Sequence, residues 1–317
     1  MTADETQASG PQAEEGVIEG VSILDLTTYT AEALARIRRI SGVALVLVPE
    51  SLAGQLGAIP MSGVASVVPV PDGARARIHT GVMTMDGGAF AGPGTEKDVL
   101  VMTGVLVITS PVERVAFARA VTTGVILAPR GSEAALAAGL SHVTGVVSYY
   151  DYAEGQKVRV FQGQTRLRGE TLANAGGQAS DIAIVAGQLV LTSPVATLGY
   201  QQVVVAGQLA APEESMDSLE PALHVVGQVV WYSGTARAFA GQERFDRGFF
   251  ELLDEPITLV LSGAFDIGPD VPPELVREKV RAIALSGALR APRAVVPVLQ
   301  LLATQKQGVI KALDEEG

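Results

Sequence analysis

Glycine returns along this chain at an interval of roughly 20 residues: Gly20, Gly42, Gly63, Gly81, Gly104, Gly124, Gly145, Gly163, Gly187, Gly207, Gly227, Gly263, Gly287 and Gly308. Around it a unit repeats, made of an apolar run, the glycine, a second short apolar run, and proline. The near-copies IAIVAGQLVLTSP and VVVAGQLAAP, between Ile182 and Pro212, show it most plainly. A period sustained over most of a chain restricts the fold to a solenoid or array, because one such unit cannot bury its own apolar face and must stack on its neighbours. Proline closes the second run at Pro49, Pro69, Pro111, Pro129, Pro194, Pro212, Pro269 and Pro292, since it has no N–H to give to a central ladder. Thr109-Ser110-Pro111-Val112 recurs 83 residues later as Thr192-Ser193-Pro194-Val195, so register is kept over about four repeats.

The pattern predicts a mainly β protein with short helices, a single elongated solenoid of about 13–14 repeats covering residues 17–317. The first repeats read as strand, turn, helix. Val21–Leu24 is a strand, and Thr30 caps a helix running to Ile40. Val43–Val48 is the next strand, and Pro49 opens a short helix carrying Leu52, Leu56 and Ile59 at helical spacing. That plan resembles leucine-rich-repeat and related α/β solenoids. From Gly63 to Val230 the segments read instead as two strands meeting at the glycine, in β-helix-like rungs, with a helical turn allowed at Ser132–Leu140 and Pro221–Val226. Gly42, Gly63, Gly104, Gly124, Gly187, Gly207, Gly227, Gly263 and Gly287 are then corners where a Cβ would clash. Helical character returns at Asp270–Ile283, followed by an apolar segment, Ala294–Leu302, and an amphipathic tail, Gln307–Leu313. Helices at both ends would cap the stack.

The 36-residue gap between Gly227 and Gly263 reads as one rung plus an insertion at Gly234–Phe250. Its Phe239, Phe245, Phe249 and Phe250, set among three arginines, form a candidate interaction loop. The favoured reading of the segment is that two folded-over strands bury these rings.

Net charge of −11 opposes binding to nucleic acid or anionic lipid. The absence of cysteine excludes disulfides, thiol catalysis and thiolate metal sites. Mean hydropathy of +0.32 is high, yet no apolar stretch approaches the roughly 18–20 residues of a membrane span. The surplus must therefore be buried in a core or against another chain. Residues 1–16, MTADETQASGPQAEEG, are acidic and nearly devoid of large apolar side chains, and are expected to be a disordered tail without signal-peptide character. Cytoplasmic localisation follows as the default.

Residues for chemistry are sparse. His79, His142 and His224 share no helical spacing with one another, the glycines follow the fold period rather than a phosphate-loop spacing, and Asp86, Asp151 and Asp181 stand apart. Lys157, Arg159, Arg166 and Arg168 form a basic run that reads as an anion strip or as the solvated face of two strands. No catalytic, cofactor-binding or metal-binding residue is predicted, no cofactor is expected, and the chain reads as a non-enzyme. Runs such as Val43–Val48 and Val105–Ile108 are apolar on both faces, which requires cover on both sides.

Apolar strands at regular glycine corners behind a polar N-terminal segment resemble bactofilins, bacterial cytoskeletal β-helices that polymerise end to end. The resemblance implies a structural or scaffolding protein that self-assembles through solenoid ends or apolar strand faces, its partner being another copy. The alternatives are a soluble interaction module binding one other protein and, behind it, a β-helix enzyme acting on a polysaccharide.

Overall fold

The computed structural model describes residues 16–92 and 95–314, so the tail expected at 1–16 lies, but for Gly16, outside them. The chain divides into two compact units, residues 1–149 and 150–317. Both are mainly β, the strand pairings with a described register are parallel, and the helices are short.

The first unit opens with six short strands: β1 (Val17–Glu19), β2 (Ile23–Asp25), β3 (Arg39–Ser41), β4 (Leu45–Pro49), β5 (Met61–Ser62) and β6 (Ser66–Val70). They form two three-stranded sheets, β1-β3-β5 and β2-β4-β6. Gly20, Gly42 and Gly63, all near φ +65, turn the chain from one sheet to the other. Thr30 caps a helix as predicted, its Oγ1 accepting from the Ala33 N–H at 3.2 Å, but that helix, α1, spans only Ala31–Leu34. A 3-10 turn at Glu50–Leu52 and α2 (Ala53–Leu56) follow β4, burying Leu52 and Leu56.

Four longer strands come next: β7 (Arg75–Met85), β8 (Asp98–Ile108), β9 (Arg119–Pro129) and β10 (His142–Tyr150), in spatial order β10-β9-β8-β7. The second unit repeats this plan twice. β11 (Val158–Leu167), β12 (Ile182–Leu191), β13 (Gln202–Pro212) and β14 (Leu223–Tyr232) make one sheet in chain order. β15 (Thr235–Phe245), β16 (Ile257–Ile267), β17 (Val280–Ala291) and β18 (Ala303–Ala312) make the other. In these three sheets the glycine is not a corner between two strands. It sits inside one continuous strand, directly opposite the glycine of its neighbour: Gly81↔Gly104↔Gly124, Gly163↔Gly187↔Gly207↔Gly227 and Gly241↔Gly263↔Gly287↔Gly308. Gly207 shows why no other residue serves: its φ is +136, and a Cβ there would run into the carbonyl oxygen of Gly187.

Connection length decides where each sheet ends. A parallel partner needs a crossover of about a dozen residues. Connections of 10–14 residues provide it within the three long sheets, and several contain helical turns, including Glu133–Gly139, inside the Ser132–Leu140 stretch where the sequence allows one, and Met216–Leu219, just ahead of the one allowed at Pro221–Val226. The connections at 71–74, 151–157 and 233–234 are too short to return to a strand's start, and after each one the next strand begins a new sheet. In the sequence these breaks are the short glycine intervals: 18 residues from Gly63 to Gly81, 18 from Gly145 to Gly163 and 14 from Gly227 to Gly241. Gly241 therefore fills the gap read as an insertion, because 235–245 is a regular strand in register with β16. The C-terminal helix expected to reach Ile283 stops at Lys279, Val280 starting β17, and the expected amphipathic tail is β18.

The two-sided apolar character of the strands has an internal answer. One face of each long sheet packs on its own returns: Leu100, Met102, Leu106 and Ile126 meet Phe90, Phe117 and Leu136, and Leu189 and Leu209 meet Leu172, Val195 and Leu219. The opposite face packs on a neighbouring sheet of the same unit. Leu45, Leu47, Val68 and Val70 lie against Val99, Val101 and Val121, and Val190, Ala210 and Val230 lie against Val260 and Ala284.

Candidate functional site

The four phenylalanines of the candidate loop belong to the core of the last sheet. Phe245 and Phe250 are buried, with Phe239 and Phe249 packed against them. Phe245 stacks on Phe265 with centroids 5.9 Å apart and planes 6° from parallel. Asp246 caps the short helix α3 (Arg247–Glu251) that carries Phe249 and Phe250, accepting from the Phe249 N–H at 2.9 Å. Segment 234–250 is thus a strand, a cap and a helix rather than a loop.

Part of the basic run is structural. Arg159 meets the buried Asp181 carboxylate at 3.5 Å. Burial pushes the Asp181 carboxyl up, but hydrogen bonds from the Gln178 N–H and the Asn174 amide, with the charges of Arg159 and Lys157, outweigh it and hold the group below the usual range. Asn174 is the only non-glycine residue with positive φ among the described residues, and its side-chain amide also donates to the carbonyls of Gln178 and Gly199, both at 3.0 Å. The preceding sheet places Arg75, Arg77 and buried Asp98 in the same register positions, with Arg75 2.9 Å from the carboxylate and Arg77 also paired to it.

Asp86, which stood isolated in the sequence, accepts from the Ser110 hydroxyl at 2.7 Å and from the Gly88 N–H at 2.9 Å, and these bonds hold its carboxyl low. Ser110 accepts in turn from the Gly87 N–H, and Ser193 accepts from the Gly169 N–H, each at 2.9 Å. One rung further, the N–H of Val112 reaches Ser132 at 3.0 Å and that of Val195 reaches Ser215 at 2.9 Å. The recurrent Thr-Ser-Pro-Val is therefore a stacking device for turns, found after the second strand of two sheets.

His142 lies in a cleft of about 490 Å³ between β2-β4-β6 and β7–β10. Its Nε2 is 3.3 Å from the Ser66 hydroxyl and 3.4 Å from that of Thr144. Thr80, Thr103 and Thr123 line the same cleft, each preceding its strand glycine. No carboxylate lines it. Among the described residues no group of three metal-ligating side chains stands together, and no helix is long and apolar enough to cross a membrane.

A row of glutamines, not singled out when the glycines were read as corners, comes directly after the glycines of β11–β14. Gln164 donates to Gln188 at 2.9 Å, Gln188 to Gln208 at 2.5 Å, and Gln208 to Gln228 at 3.0 Å. Gln188, Gln208 and Gln228 are buried. Gln188 and Gln208 each donate to the next strand and accept from the previous one, so the row is a directional ladder. The sequence signal was glutamine directly after the period glycines Gly163, Gly187, Gly207 and Gly227, and again at Gly241-Gln242.

Apolar side chains stay uncovered at sheet edges and on the helical returns of the last sheet. Among the exposed large hydrophobics, Met61, Val67, Ile78, Val143, Val146 and Val309 are on the edge strands β5, β6, β7, β10 and β18, whereas Leu252 and Leu301, the most exposed, lie in the connections after β15 and β17. No family model matches the sequence, and neither the curated proteins nor the solved structures yield a match.

Proposed function

We propose that this is a non-enzymatic structural or scaffolding protein that self-assembles, and that assembly runs through the open edges of its parallel sheets, the ends of the repeat stacks. The observation that carries this reading is the contrast between covered faces and uncovered edges. Both faces of the central strands are packed within the chain, whereas edge strands, which have a neighbouring strand on one side only, hold half-buried and exposed apolar side chains. Such edges are templates for strand addition. The face-mediated route predicted from surplus hydropathy loses its support, because sheet-to-sheet packing absorbs that surplus.

A single-partner interaction module is favoured by one feature, the groove of about 540 Å³ on the last sheet, where Glu243, Arg244, Asp266, Arg290 and Lys311 present mixed charge. Sedimentation velocity over a hundredfold concentration range separates the two readings. Self-assembly gives a series of growing species, and a monomer at every concentration refutes it.

A further inference from the structure

The sheet β11–β14 ends differently on its two sides, and the two ends match. We infer that a second copy of this chain adds to it head to tail, β14 of one copy pairing in parallel with β11 of the next in the register the sheet already uses. The inference rests on the self-assembly reading above and names the surface.

Polarity is the first argument. The glutamine ladder starts at Gln164, which gives its amide proton to Gln188 and receives none, and it ends at Gln228, which accepts from Gln208 and has no acceptor among the described residues. One edge thus offers a carbonyl and the other an N–H at the same height in the sheet, each directly after its glycine. Placing Gln228 beside Gln164 of a second copy continues the ladder by one bond, in the way amide ladders run through stacked in-register strands.

The apolar rows give the second. Phe161↔Val185↔Val205↔Val225 crosses the sheet on its core side, and the pairs Leu167↔Leu191 and Ala211↔Trp231 lie on the same side. The inner members are buried, while Phe161, Leu167, Val225, Val229 and Trp231, all on the two edge strands, are only partly so. The core is open at both ends of the row, and the proposed pairing sets Val225 beside Phe161 and Trp231 beside Leu167. Across the new contact Arg166 and Arg168 fall opposite Val230 and Tyr232, so no like charges meet in that half of the strands. The contact is heterologous and does not close on a dimer, so it propagates.

The chain has no cysteine, which makes the register directly testable by crosslinking. Gln164 and Gln228 are three strands apart within one chain, about 14 Å at the usual strand spacing, too far for a disulfide. Between copies in the proposed register they are neighbours at about 4.8 Å, inside the roughly 4.4–6.8 Å that a disulfide spans. A mixture of the full-length Gln164→Cys and Gln228→Cys variants, oxidised under conditions where the wild-type chain associates, is expected to give a covalent heterodimer at least tenfold above either variant alone. The double variant is expected to give a reducible ladder of multimers. Pairing Gln162→Cys with Gln228→Cys, two residues out of register, is expected to give neither. Far-UV circular dichroism and a thermal melt establish that each variant is folded. If the wild-type chain associates but the mixture crosslinks no better than the single variants, the proposed edge contact is wrong and self-assembly stands. If the wild-type chain is monomeric throughout, both fall.

Discussion

The sheets β11–β14 and β15–β18 share one backbone plan and differ in the side chains placed after their glycines. In the first, the residue after glycine is glutamine in every strand, and the third residue after it runs Arg166, Val190, Ala210, Val230. In the second, the first row is Gln242, Ala264, Ala288, Val309, and the other is Arg244, Asp266, Arg290, Lys311. The apolar row is covered by β16 and β17, and the charged row lines an open groove. Identical geometry therefore carries opposite chemistry according to whether a neighbouring sheet lies on it.

Exchanging the two rows tests this most severely. Val190→Asp places a charge where no solvent reaches and should cost about 3–5 kcal/mol, read as a large fall in the midpoint of urea unfolding. Asp266→Val at the matching position removes an exposed pairing with Arg290, at 2.7 and 3.0 Å, and should cost less than about 1 kcal/mol. Equal effects would break the comparison.

The glycines differ within each long sheet, the first strand's having open space at its Cβ position and the others meeting the carbonyl of the glycine before. Gly207→Val meets both a φ of +136 and the Gly187 carbonyl and should lose about 3 kcal/mol or more. Gly241→Val, on an edge strand with no atom within 4 Å of its Cβ position, should lose only about 1–2 kcal/mol of backbone strain. Thermal melts of the pair decide it.

Gln208→Leu leaves a Gln188 donor and a Gln228 acceptor unpaired in a buried row, an expected loss of about 1–3 kcal/mol. Gln242→Leu, on the exposed face of the other sheet, should fall within about 0.5 kcal/mol of wild type. A chemical-denaturation series on both variants sharpens the contrast.

Acid provides the smallest test. Asp181 has a carboxyl held below its ordinary value, so its contribution is present above the ordinary carboxylate range and is lost as pH falls through the lowered folded-state value. The melting temperature of wild type should therefore drop more steeply on acidification than that of Asp181→Asn. Parallel curves would remove Asp181 from the account.

Much of the backbone was legible because glycine with positive φ inside a strand has no substitute, so its spacing survives every change of side chain. Pro49 and Pro212 likewise mark strand ends, each the last residue of its strand. The division into sheets was not legible in a repeat that reads as one continuous solenoid; its trace is the 18- and 14-residue glycine intervals, which matter only once crossover length is treated as the quantity that decides pairing. Gly241 was missed because Gly234 and Gly248 lie close by and no proline comes after it at the usual distance. Helix ends were overrun at Ile40 and Ile283, where apolar spacing suits a helix and a strand equally well. The burial of the phenylalanines was legible as the favoured reading of the segment, but its form was not: one strand and a capped helix bury them rather than two folded-over strands. The glutamine ladder was hidden for a different reason. A polar residue after a glycine reads as solvated, and only the register between strands makes it a buried row.

Hydrogen exchange, followed residue by residue on the full chain at two concentrations, tests the central claim most directly. Inner strands β12 and β13 have partners on both sides and should be protected at either concentration. Edge strands β11 and β14 should exchange quickly at alternate amides in dilute solution and gain protection as concentration rises, at the outward-pointing amides of both strands together. Edge amides that are as slow as those of β12 and β13 at the lowest concentration, or that stay fast while the inner strands are protected at the highest, would contradict assembly through these edges.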